Sequence, residues 1–214
     1  MAFASTRGAV AASAIGLLVG LGGLSPVLAQ TNSAVSATIL SQAAAPLPSG
    51  SAEQRAAVVK ERIAALVAAQ SAGQVTANQV RAAIRALIVA NPAVAGEIVA
   101  TVVAVSSEGL PGVPANPALT VILADGVAMA AQELQVAAPN NPVAQAALQQ
   151  VNTAFVEAGV SPGSVFGSQF AVTLNAVGGT LVPTTTATPS ESSPLAVVVP
   201  GLLPKATTAE MSPT

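Results

Sequence analysis

The chain has 214 residues, 52% of them hydrophobic and only 7% charged, a formal net charge of −2, and no Cys, His, Trp or Tyr. Without Cys or His there can be no disulfide framework, no thiolate or imidazole metal ligand, and no Ser-His-Asp or Cys-His catalysis. A slightly acidic chain lacking the large stacking rings is also a poor match for nucleic acid, which demands phosphate neutralisation and base stacking.

Residues 1–29 read as a secretory signal peptide. One base, Arg7, precedes an uncharged apolar run from Gly8 to Leu24, and Ser25-Pro26 leads to the small-residue cleavage site Val27-Leu28-Ala29. The run is shorter than the roughly 20 residues a membrane span needs. Cleavage before Gln30 would leave a mature chain of 185 residues that is exported, periplasmic or extracellular, and has no stable membrane span. Its only aromatic residues would be Phe155, Phe166 and Phe170, so its core must be built from Ala, Val, Leu and Ile.

Residues 30–50, with Pro46 and Pro48 among small polar residues, read as a flexible leader to a helical domain over 51–182. Ser51 with Gln54 and Thr76 with Gln79 have the form of capping boxes, in which hydroxyl and amide each satisfy a free backbone donor. They open amphipathic helices over 52–70, with Val59, Ile63 and Leu66 on one face, and 77–89, with Val80, Ile84, Leu87 and Ile88. Asn-Pro recurs at 91–92, 116–117 and 141–142, a spacing of 25 residues, and each pair suits an N-cap followed by the first helical position. The pattern is that of a degenerate helical repeat.

The segment "IVATVVAV" (98–105) also suits a buried strand. The Asn91-Pro92 start decides for a helix, and one apolar nearly all round belongs at the centre of the fold. Further helices are expected over 117–136 and 142–158, the last stopped by Gly159 and Pro162. Phe166, Phe170, Val172 and Leu174 then fall on even positions before Gly178-Gly179, which predicts a short hairpin over 169–182. Residues 183–214 read as a Thr/Ser/Pro-rich disordered tail, in which "LAVVVPGLL" (195–203) is suited to docking on the chain's own domain.

Charge is uneven along the chain. From residue 53 to 85 five bases face two acids, giving +3, and from 86 onward seven acids face Lys205 alone, giving −6. The asymmetry reads as attraction between early and later helices or as a solvated face, with Glu97 in the next segment the expected acid to relieve the like pair Arg81 and Arg85. Asp125 and Glu133, eight apart, read as a solvated helix stripe rather than a cation site. Asp125 is the only Asp, which excludes an aspartate dyad, and neither Lys60 nor Lys205 has a Ser three residues earlier. A sugar-cleaving glutamate pair would lack Trp and Tyr platforms.

No catalytic, cofactor-binding or metal residue is therefore nominated. The expectation is an all-α protein of about five short Ala/Val-rich helices in antiparallel hairpins. It would be a non-enzymatic structural or protein-interaction module of a bacterial envelope, with a protein partner or self-association. The alternative is a membrane-active secreted protein that inserts after oligomerising.

Overall fold

The computed structural model describes the backbone of residues 26–183 and 195–197, and the side chains of residues 34–180 and Val197. Seven α-helices follow in order: α1 (Pro26–Ala44), α2 (Ala52–Ser71), α3 (Ala77–Ala90), α4 (Ala95–Glu108), α5 (Pro117–Ala137), α6 (Pro142–Glu157) and α7 (Val165–Ala176). Two strands of three residues, β1 (Leu181–Pro183) and β2 (Leu195–Val197), pair antiparallel with Leu181 opposite Val197. Among the described residues the protein is all-α apart from this ribbon. The signal-peptide reading falls on residues outside the described ones up to residue 25, and most of the 183–214 tail lies outside them too.

Local sequence explains most of the helix ends. Ser51 and Thr76 both form complete capping boxes with Gln54 and Gln79. Asn116 accepts from the Leu119 N–H, and Asn141 from the N–H groups of Val143 and Ala144, with Pro at the start of each helix. The third Asn-Pro behaves differently. Asn91 is buried, donates its amide to the Leu87 carbonyl at 2.7 Å and accepts from the Leu47 N–H at 2.7 Å, so it seals the end of α3 rather than the start of α4. At this corner the chain turns by 91°. Gly159 ends α6 at φ +61°, with the Val160 N–H returning to the Phe155 carbonyl.

The segment over residues 98–105 lies within helix α4, whose Ile98, Val99, Val102 and Val105 are buried. The most enclosed helix is nonetheless α5, which packs against α3, α4, α6 and α7. Its approach to α3 depends on Gly126, where a Cβ would lie 2.7 Å from the Ile84 Cβ and 3.1 Å from the Arg81 carbonyl oxygen. The aromatic cluster joins α6 to α7: Phe155 meets Phe170 edge to face at 4.8 Å and Phe166 at 6.2 Å.

Three expectations about the elements of the chain need correction. Residues 30–44, read as flexible leader, belong to α1, which packs on α2 and α3. Ala43 is buried, Ile39 and Leu40 lie against the core, and Ser36 donates to the Gln74 carbonyl at 2.6 Å. The remainder of that leader is held as well, by the Arg62 guanidinium on the carbonyls of Ala45 and Pro46.

The hairpin over 169–182 is instead helix α7 and its exit, with β1 beginning at Leu181. Phe166, Phe170 and Leu174 are spaced by four, and a spacing of four satisfies both a helical face and strand alternation. Val172 separates the two cases: alternation requires it inside, and it is 62% exposed. Gly178 and Gly179 close the helix, donating to the carbonyls of Asn175 and Leu174. Finally, residues 195–197 of the supposed disordered tail form β2 against α6, while the rest of "LAVVVPGLL" lies outside the described residues.

Candidate interaction surface

Ionisable side chains tie helices together rather than converge on a pocket. Arg55 of α2 grips Glu97 of α4 through two nitrogens, both at 2.7 Å, and donates further to the Gly50 carbonyl. This contact holds the Glu97 carboxyl below the ordinary glutamate value and raises the Arg55 guanidinium, the hydrogen bond being the main cause in each. Glu97 is thus partnered by Arg55, not by the Arg81 and Arg85 pair.

Those two arginines reach α5 instead. Arg81 Nε donates to Asp125 Oδ2 at 2.7 Å, and Arg85 Nε to Glu133 Oε2 at 2.9 Å. The solvated-stripe reading of Asp125 is therefore wrong, because that residue is only 6% exposed. Its other oxygen accepts from Gln169 Nε2 at 2.7 Å and from the Thr173 hydroxyl, both on α7, while Arg81 also reaches Asn78 at 2.6 Å. A buried carboxylate needs such satisfaction, and here α3, α5 and α7 meet around it. Among the described residues there is no group of three or more acids, His or Cys that could hold a metal. Lys60 is exposed on α2, and Lys205 lies outside the described residues.

Uncharged amides organise the outer side of the molecule. Asn152, on α6, accepts from the Val197 N–H at 2.7 Å and donates to the Val197 carbonyl at 2.9 Å. Gln135, at the end of α5, does the same for Thr180, accepting from its N–H at 3.0 Å and donating to its carbonyl at 3.3 Å. Each side-chain amide thus stands in for one residue of a neighbouring strand. Sequence reasoning missed both, because an amide's partner is chosen by tertiary approach and leaves no spacing to read.

Two further surface features bear on binding. A groove of about 540 Å³ runs between α4 and α6, lined by Gly96, Ala100, Gln150 and Thr153 together with the two acids Glu97 and Glu157. Among the described residues, six of the seven exposed large apolar side chains are valines between residues 136 and 177 (Val136, Val143, Val156, Val165, Val172 and Val177). From Leu134 to Ser190 the only charged residue is Glu157, so this stretch of chain brings little charge to the surface.

Comparison with protein-family models, with curated proteins and with solved structures gave no match.

Proposed function

We propose that the chain is an exported, non-enzymatic module of a bacterial cell envelope that acts by binding protein, another copy of itself included. The observation that carries this reading is the nearly uncharged surface over residues 136–177 with its six exposed valines. An apolar surface in that setting gains by being covered, and low charge removes the usual barrier to covering it. The Asn-Pro spacing, with working caps at Asn116 and Asn141, supports reading the core as a degenerate helical repeat in antiparallel hairpins. Export rests on the first 29 residues. Cleavage before Gln30 would shorten α1 and leave Ser36, Ile39, Leu40 and Ala43 to make its contacts with the rest of the fold.

The membrane-active alternative draws on one observation. Pro117–Asn140 is by length and hydropathy sufficient to cross a membrane. However, 61% of its most apolar window is buried in the fold, and Asp125 within it is held by Arg81, Gln169 and Thr173. Insertion would first have to break that network. Circular dichroism of the purified protein with and without vesicles, together with release of a trapped dye, separates the readings. The proposal expects a strong helix signal unchanged by lipid and no dye release, whereas dye release overturns it. Mass spectrometry of the exported protein should find Gln30 at its N-terminus.

A further inference from the structure

The contact between β2 and α6 is built like a peptide-binding site that happens to hold a piece of its own chain. On one side β1 offers a strand edge to Leu195–Val197. On the other, the Asn152 amide pairs with both the N–H and the carbonyl of Val197. Between them the Val197 side chain is 1% exposed. Recognition by main-chain pairing with one apolar side chain buried is how extended peptides are taken up at sheet edges. None of these contacts requires that the strand be covalently continuous with the site.

The connection has the reach for either arrangement. Pro183 and Leu195 are paired neighbours, yet residues 184–194, "TTTATPSESSP", put eleven residues between them. Two to five residues are the usual length for joining adjacent antiparallel strands. Eleven residues extend to about 40 Å, comparable with the diameter of a domain of this size.

We propose that the slot between β1 and Asn152 accepts Leu195–Val197 from a second copy of this chain, so that two chains lock together by reciprocal exchange of their C-terminal strands. Exchange keeps every contact that Leu195–Val197 makes in the closed form. Its cost is the loss of freedom on association, which concentration offsets. The inference rests on the protein-binding reading above and names the partner.

Two full-length variants test it by complementation. Val197→Asp carries an intact slot and a strand that cannot enter it, and Asn152→Lys carries an intact strand and an obstructed slot. Each alone should have the mass of one chain by light scattering after size exclusion, and an equimolar mixture should give a species of doubled mass. A mixture that stays at the mass of one chain, with both variants retaining the wild-type helix signal, overturns the proposal.

Deleting Thr184–Pro194 needs neither substitution. With no residues left to turn back, β2 cannot reach its own β1, and a mass that rises to twofold with concentration is expected. A helical deletion variant with the mass of one chain rejects the exchange. Dye release from vesicles would sink the parent reading without touching these masses, so the two failures are told apart.

Discussion

Two regions of this molecule solve the same problem with different chemistry. Around Asp125, three helices are joined by a charge: a carboxylate that is 6% exposed gathers Arg81 from α3 and Gln169 and Thr173 from α7. On the outer side of α6, a strand is joined by neutral amide bonds from Asn152 to a single peptide unit. A buried charge left without its partner is penalised heavily, whereas a neutral bond at a part-buried edge exchanges with water at little net change. The first region is therefore a fixed junction, and the second can open while the helices stay folded.

The largest effect expected from breaking that contrast comes from Arg81→Ala. It leaves the Asp125 carboxylate buried without its cation and should lower unfolding free energy by about 3 kcal/mol, measured by urea denaturation. Gly126→Ala tests the same junction by shape. The new methyl meets Ile84 and the Arg81 carbonyl within about 3 Å, and a loss of about 1–3 kcal/mol from overpacking should exceed the gain of up to ~1 kcal/mol in helix propensity.

Asn152→Ala should remove about 1 kcal/mol, and its signature is local. Amide exchange should quicken at residues 181–183 and 195–197 while α3, α5 and α7 keep their protection. Global loss of protection would show that the two regions are not separable. The smallest effect belongs to the Arg55–Glu97 pair, whose acid is partly solvated. Because the folded state holds the Glu97 carboxyl below its ordinary value, the contribution is complete above that value and is lost as pH falls through the lowered one. The thermal midpoint of Glu97→Gln should therefore converge with that of the wild type in acid and fall slightly below it at neutral pH.

What could be read in the sequence was what is local. The capping boxes at Ser51 and Thr76, the caps at Asn116 and Asn141 and the stop at Gly159 each involve residues within a few positions of one another, and each is present. The failures arise where two local codes coincide or where a partner is distant. Spacings of four made α7 look like a strand, and the small polar residues around Ile39 and Leu40 hid the packed face of α1. Charge asymmetry correctly implied attraction between early and later helices. Which acid meets which base, Glu97 with Arg55 and Asp125 with Arg81, was settled by helix crossings that no spacing encodes. The amides of Gln135 and Asn152 were invisible for the same reason, and Asn91, expected to cap α4, was drawn instead to Leu87 and the distant Leu47.

The corner at Asn91 has a consequence for the order in which the chain takes shape. Its one amide joins the carbonyl of Leu87, four residues back, to the N–H of Leu47, forty-four residues back. A chain synthesised from its N-terminus can complete α2 and α3 earlier, but it lacks this bracket until residue 91 has emerged. From that moment the loop before α2 and the end of α3 are held in register, and α4 leaves at 91° to them. Locking of the loop before α2 to the end of α3 therefore cannot precede residue 91, whereas the face of α3 that α5 covers is complete only when α5 is in place.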